Sequence, residues 1–476
     1  MAARCDCIPL VLPGIRAMVT AGLLTGCASL ALAPGALAQG CLGETAAPGG
    51  PQPQGPALRF GITPGVQTGQ LGTGPVPPRV PEDFATQASA LRRLRADGSP
   101  FVLRLHRFFW SDGEAAVQRF LALADQYTAQ GFLVELQLRY HPRPDQEGDI
   151  AAWTQHVRDM VRRFGTNPRV VAIQVTNEVN LSFSPDSSDG SYARAREALV
   201  QGVIAAKDEV AKRGLHQLEI GFNWAYRGAP GDEDEFWSAL RTLGGERFAR
   251  SVDWVGLDAY PGTLVPPGST DFGRGGLVNA MSSLRCYLAI PGIPRTAPLH
   301  IEENGWPTGP GRDEATQVRY LDTMVRTVHE LRGTYNVSDY RWFNLRDGNT
   351  QSGNFQTQYG LLRDDSSEKP AFGALRTLVA QLGRRAPLLD AVAPATAPRP
   401  ARPRLVTRCR RGVLTARLTG AAGVRRVTFL IAGRRRSDTR APFVRALRSA
   451  GRAVPVVALA RRGKNTLVLT RAARRC

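Results

Sequence analysis

Two stretches of this chain end in glutamate where an apolar run stops: VVAIQVTNEVN at residues 170–180 and LHIEENGWPT at 299–308. Both runs are rich in β-branched residues and read as buried strands. The acids they deliver are Glu178 and the pair Glu302, Glu303. Two carboxyl groups brought to one place can divide their labour. One, kept protonated by its surroundings, donates a proton to a leaving oxygen, while the other, ionised, attacks the carbon behind it.

The elements that would bring them together repeat along the chain. Strand-like runs start at Leu58 (LRFGI), Phe101 (FVLRLHRF), Phe132 (FLVELQLRY), Arg169 (RVVAIQV), Gln217 (QLEIGFNW), Ser251 (SVDWVGLDAY), Ala297 (APLHIEEN) and Asp339 (DYRWFNL). Between most of them lie segments with apolar residues three and four apart, such as EAAVQRFLALADQYTAQG and QVRYLDTMVRTVHELRG, several closing on Gly as helix C-caps do. Eight strand-then-helix units over roughly 320 residues match a (β/α)8 barrel, here residues 58–384. A doubly wound sheet fits less well, because GITPGVQTGQ after the first strand is a poor phosphate-binding turn.

In such a barrel the reacting groups stand at the C-terminal ends of the strands, which open on one face. Counting strands, Glu178 ends the fourth and Glu303 the seventh. Two carboxylates about 5 Å apart at that face are the equipment of retaining glycoside hydrolysis. Asn177-Glu178 together with Glu303-Asn304-Gly305-Trp306 resembles the clan A, or 4/7, superfamily of retaining glycoside hydrolases. The resemblance implies that Glu178 is the acid/base, Asn177 a ligand of the sugar 2-hydroxyl and Glu303 the nucleophile, with Glu302 as the alternative. Period-two alternation would put Glu303 on the face shared by Leu299 and Ile301, taken as the barrel interior. The same resemblance makes Arg104 (or Arg107) the cation beside the nucleophile, Tyr260 a hydroxyl against it, and Trp342 the aromatic platform under the sugar; His106 and Trp306 complete the candidate substrate-binding set. YGLLRDDSSEKPAFGAL resembles the closing segment of such hydrolases. Arg104-Leu105-His106 leans toward the family 39 type, with its xylosidases and iduronidases, and ENGWPT toward the β-1,3-glucanases, so the sugar is open between them.

Each candidate has a plainer reading. Arg104 can be an ordinary ion pair, His106 a barrel-lining histidine, Tyr260 and Trp342 core packing, and Asp258 and Asp347 bonds to backbone at loop entries. The rival from another class is a non-catalytic glycan-binding or wall-adhesion protein on the same barrel. No cofactor is required, and no metal is expected: the six His are scattered, and no two cysteines beyond residue 38 have ligand spacing.

The flanks carry different signals. Residues 1–38 combine Arg4 and Arg16 with an apolar stretch and Ala36-Leu37-Ala38, which resembles a secretory signal peptide, so a secreted, extracellular protein is expected. LTGC offers lipoprotein anchoring through Cys27 as the alternative. No segment reads as a transmembrane span. Cleavage after Ala38 leaves Cys41, Cys286, Cys409 and Cys476, an even set for which Cys409 with Cys476 and Cys41 with Cys286 are the expected disulfides. Residues 39–57 and 385–404 are Pro-rich linkers, with Gly in the first and Ala in the second. Residues 405–476 show short β-like runs punctuated by turn residues, as in a small antiparallel sandwich, and weakly resemble bacterial immunoglobulin-like domains. From Arg399 onward stand 22 Lys and Arg against one acid, Asp438, a net of +21 where the whole chain carries +20. The barrel region is therefore near neutral. The basic module is expected either to be a solvated sandwich or to adhere to an anionic wall polymer; nucleic acid is disfavoured because aromatic interleaving is missing. The expected partner of the barrel is an oligo- or polysaccharide substrate.

Overall fold

The computed structural model describes residues 41, 52, 54–65, 77–95, 99–227, 232–263, 272–383, 403–410, 412–421, 423–431, 434–448, 454–462 and 465–473. The expected signal segment 1–38, Cys476 and most of both linkers lie outside them. The chain divides into two units, residues 1–388 and 389–476.

The first unit alternates strand and helix eight times: β1 (Arg59–Ile62), α1 (Phe84–Leu94), β2 (Phe101–Phe109), α2 (Gly113–Ala129), β3 (Leu133–Arg139), α3 (Ile150–Phe164), β4 (Val170–Val175), α4 (Ala195–Arg213), β5 (Glu219–Ala225), α5 (Glu233–Ser251), β6 (Trp254–Asp258), α6 (Arg274–Tyr287), β7 (Leu299–Asn304), α7 (Glu314–Tyr335), β8 (Val337–Trp342) and α8 (Pro370–Leu382). The strands close, all parallel, into a barrel in which β1 pairs with both β2 and β8. Apolar positions of the strands, Leu103, Leu105, Val134, Leu136, Leu299 and Ile301 among them, pack outward in one core with the helices. Helix α4 stops at Gly214, in the left-handed region at φ 67°. Helix α7, by contrast, runs past the expected stop at Gly333 and ends on Asn336 at φ 53°. Among the described residues no helix is long and apolar enough to cross a membrane.

The inside of the barrel combines a small apolar layer, Val102, Leu133, Val171, Ala172 and Trp254, with an ionic one. The alternate, inward positions of the strands carry Arg59, Arg104, Glu135, Gln174, Asn223, His300, Glu302, Asp339 and Arg341, nearly all fully buried. Arg59 Nε stands 3.0 Å and Arg341 Nη2 2.7 Å from Asp339 Oδ1, and Arg341 continues to Glu135 at 3.2 Å. His300, stacked on Trp254 at 4.4 Å, lies between Glu302 (3.2 Å) and Asp339 (3.3 Å). Glycines make the room: a Cβ on Gly61 would meet Val102 O at 2.2 Å and Arg341 Cδ at 2.6 Å, and one on Gly256 would meet Glu302 Cγ at 2.7 Å. Burial raises the Asp339 carboxyl, but the cations Arg59 and Arg341, with the His300 ring beside them, lower it by more and hold it well below the usual carboxylate range.

Breaking such a pair leaves charges without partners, so Asp339→Asn is expected to cost roughly 3–5 kcal/mol of stability at neutral pH, measured as a shift in chemical-denaturation midpoint. Because the folded-state pKa is depressed, this contribution is present above the unfolded value of about 4 and fades as pH falls below it. The deficit of the variant should therefore shrink in acid.

Cys41 and Cys286 form the disulfide expected for them, with Cα atoms 5.4 Å apart. Cys409 is disulfide-bonded as well. Cys476, its expected partner, lies outside the described residues.

The second unit is an antiparallel sandwich. One sheet has the order β13-β10-β9, built from β9 (Arg404–Arg410), β10 (Val413–Thr419) and β13 (Val444–Arg448); the other runs β12-β11-β14-β15, with β11 (Arg426–Ile431), β12 (Arg434–Asp438), β14 (Val454–Arg462) and β15 (Asn465–Ala473). Leu414, Ala416 and Leu418 of one sheet and Val427, Phe429, Val456 and Ala458 of the other share its core. The opposite face of the first sheet presents Arg404, Arg408, Arg410, Arg417 and Arg448, all exposed.

Candidate active site

Both glutamate segments leave their strands by irregular geometry, and this irregularity aims the acids. Beyond β4 the backbone takes left-handed values at Thr176 (φ 64°) and Glu178 (φ 46°), conformations that non-glycine residues adopt only when held. Here the turn is held: Asn177 N–H donates to Asp189 Oδ2 at 2.8 Å, Glu178 N–H to Asn223 Oδ1 at 2.9 Å, and Gln174 Nε2 to Thr176 O at 2.8 Å. On β7 the register slips, so that Ile301 faces Leu257 but Glu303 faces Asp258. The extra residue changes the expected alternation. Leu299 and Ile301 belong to the outer core, His300 and Glu302 point inside the barrel, and the slip brings Glu303 to the mouth.

The mouth holds a cavity lined by Glu178, Asp258, Glu303 and aromatic rings. Arg104, with no exposed side-chain surface, donates from Nη1 to Glu303 Oε1 at 2.7 Å, and the Tyr260 hydroxyl donates to Oε2 at 2.8 Å. Arg104 also reaches Glu302 at 3.3 Å, Glu135 at 3.6 Å and Gln174 Oε1 at 2.8 Å. Arg104 rather than Arg107 therefore contacts Glu303. Glu302 is sealed in the barrel and does not line the cavity.

One carboxyl oxygen from each of Glu178, Asp258 and Glu303 lies within 4.8 Å of the others. Burial, and after it the charge of Glu303, pushes Glu178 up to about 8. The same two causes, joined by Glu178 itself, push Asp258 well above the usual carboxylate range. Three anions so close and so dry repel, and the group retains a proton at neutral pH while Glu303 is held by a guanidinium and a phenol. Asp258 was expected to bond backbone at a loop entry. Its carboxyl instead accepts from Asn223 Nδ2 and faces both glutamates, so it joins the site. Asp347 does fit the plainer reading: Oδ1 accepts Gly360 N–H at 2.8 Å, beside buried Lys369 at 2.8 Å.

The remaining candidates divide. Asn177 lines the cavity with its amide locked: Oδ1 accepts from Gln137, Gln174 and Asn223 at 2.8, 3.0 and 2.7 Å, and Nδ2 donates to Ser187 O at 2.7 Å. His106 lines the cavity, edge-on to Phe343 at 5.8 Å. Trp342 does not line it. Being the last residue of β8 on the outward side, it is fully buried, gives Nε1 to Tyr359 O at 3.3 Å and packs near Tyr320 of α7. The next residue, Phe343, provides the aromatic wall with Tyr260 and Tyr359. Trp306 is also outside the lining; its carbonyl accepts from Gln317 of α7 and Arg312 covers its ring at 5.3 Å. Tyr226, Gln137 and Arg139 also line the cavity and Asn223 bonds Asn177 behind it; the inward alternation of ELQLR and GFNW was the available signal for the last three.

A second trio, Glu135, His300 and Glu302, also has its ligand atoms within 4.8 Å. Arg104 stands against acids of both trios, supplying the positive charge a cation would bring.

No protein-family model matches the chain, and no curated protein does. Solved structures similar to it include a β-glucuronidase from Bacteroides uniformis (12% identity, TM-score 0.41, covering 82% of this chain and 43% of that one). Others are a β-glucuronidase from Ruminococcus gnavus in complex with D-glucuronic acid (15% identity, TM-score 0.43, 68% and 49%) and GH5_18 from Streptomyces cattleya in complex with GlcNAc (16% identity, TM-score 0.48, 70% and 82%). The chain spans less than half the length of either of these β-glucuronidases.

Proposed function

We propose that the barrel is a retaining glycoside hydrolase in which Glu178 is the acid/base and Glu303 the nucleophile. The observation that carries this reading is the approach of their carboxyl oxygens to within 4.8 Å across the mouth. Oxygens that close suit direct attack on an anomeric carbon, whereas an inverting pair holds its carboxyl groups roughly 6.5–9.5 Å apart to admit a water. Arg104 and Tyr260 stabilise the Glu303 anion before attack and release it as negative charge leaves the carboxylate. Glu178, raised by burial, gives its proton to the departing oxygen and takes one from water in the second step. Asp258, itself held well above the usual carboxylate range, bonds Glu178 and partly offsets the rise that burial and Glu303 impose on it. Phe343, Tyr260 and Tyr359 offer apolar faces to the C–H side of a sugar. NMR of the first product formed from a hydrolysed aryl glycoside should show the anomeric configuration of the substrate; a wholly inverted product contradicts double displacement, and failure to turn over any of a broad glycoside panel supports the glycan-binding alternative.

Export is proposed on the leader-like N-terminus and on the Cys41–Cys286 disulfide, which suits an oxidising compartment. The exposed arginine face of the sandwich supports adhesion to an anionic wall polymer. Salt-sensitive retention of the full chain on an anionic polysaccharide resin, lost when Arg408, Arg410 and Arg417 are replaced by Gln, tests that role; retention unaffected by the replacements contradicts it.

A further inference from the structure

Arg107 is the residue at the mouth that the proposed reaction does not use. It sits in a bulge of β2, where the pairing with β3 shifts between Leu105 and Phe108, and its backbone is left-handed at φ 61°. A bulge of this kind turns two successive side chains, His106 and Arg107, toward the same cavity. The conformation is fixed by Arg107 N–H donating to Gln137 Oε1 at 2.8 Å. Only 8% of the residue is exposed.

Its guanidinium is poorly matched for a charge so enclosed. Nη1 donates to the Asp186 carbonyl at 3.3 Å, Nε has no partner, and the group lies over the Phe109 ring at 4.9 Å. Phe109 is shared with the like charge of Arg139, 5.2 Å from the ring, and burial with that neighbour pushes Arg107 down to about 10. The other arginines of the cavity are neutralised: Arg139 by Asp189 at 2.7 Å and Arg227 by Glu233 at 2.6 Å. Among the described residues no carboxylate reaches ion-pair distance of Arg107, although Asp186 and Asp112 act on it from farther away. A buried cation aimed into a binding cavity without a counter-ion is a place for an anion.

Resting on the reading of this cavity as a glycosidase site, we propose that Arg107 forms an oxyanion subsite and that the substrate is an anionic glycan, one whose sugar carries a carboxylate or a sulfate beside the bond to be cleaved. The planar fork of the guanidinium suits two oxygens of either group, and the nearby aromatic faces suit the ring that carries them.

The test compares kcat/KM of the full chain for matched nitrophenyl glycosides: a glucuronide, a 6-sulfated glucoside and the unsubstituted glucoside. The wild type should prefer an anionic member, and which of the two it prefers separates carboxylate from sulfate. In Arg107→Gln the anionic-to-neutral ratio should fall about 30-fold, equivalent to about 2 kcal/mol at 1.36 kcal/mol per decade, and Arg107→Lys should recover part of it. A wild type that prefers the neutral glycoside, or a ratio unchanged in Arg107→Gln, overturns the proposal. If no glycoside is turned over, the hydrolase reading fails by itself, and calorimetry of glucuronate, glucose 6-sulfate and glucose against wild type and Arg107→Gln still decides the subsite: tighter, Arg107-dependent binding of an anion supports it, and equal binding overturns it.

Discussion

Glu303→Gln should reduce turnover of any glycoside the protein hydrolyses by about 10⁴-fold or more, since removal of a covalent nucleophile leaves only the contribution of binding and surrounding dipoles. The amide is nearly isosteric and can still bond Tyr260 and Arg104, which hold the native carboxylate at 2.8 and 2.7 Å. Folding should therefore survive, as checked by circular dichroism and the melting temperature. Glu302→Gln makes a useful contrast. Glu302 lies inside the barrel against Arg104 and His300, so its replacement should change stability more than the identity of the attacking group. A Glu302→Gln variant as inactive as Glu303→Gln, with unchanged stability, would exchange their proposed roles.

Glu178→Gln should show a different signature. Loss of the acid is expected to lower kcat/KM about 10²–10⁴-fold for substrates whose leaving group needs a proton, and far less for dinitrophenyl glycosides, whose phenolate departs unaided. The pH profile adds a sign. Burial and the Glu303 charge raise Glu178 to about 8, so the proton is in place below that value and is lost as pH rises through it. Wild-type kcat/KM should fall by one proton on the alkaline side near pH 8, and the fall should vanish in Glu178→Gln. An alkaline limb that persists in the variant would assign the titration to another group of the trio.

Much of the barrel was legible because its code is local: β-branched runs, helical spacing and Gly or Asn stops recur at a regular interval. The positions of Glu178, Glu303, Arg104 and Tyr260 at strand ends followed from that count, since the fold opens all its strand ends on one face. What escaped depends on register. Alternation from Leu299 placed Glu303 correctly at the mouth for a wrong reason, because a slip at Glu302 and Glu303 lies between them. The same sensitivity moved the aromatic wall by one residue, from Trp342, which turns toward α7, to Phe343. The polar alternation in LRLHR, ELQLR, HIEE and DYRW was visible and marks the inward face, yet the outward apolar residues were read as the interior. Asp258 and Arg107 were hidden more deeply. The environment of Asp258 is made by β4 and β7, and that of Arg107 by a bulge; neither is written near the residue in sequence.

The most direct measurement is mass spectrometry of the protein after incubation with an activated 2-deoxy-2-fluoro glycoside of the sugar it hydrolyses. A stable adduct of one glycosyl unit, mapped to the peptide containing Glu303 and absent in Glu303→Gln, is the predicted result. An adduct on another carboxylate, or turnover with no glycosyl-enzyme under any condition of trapping, contradicts the account.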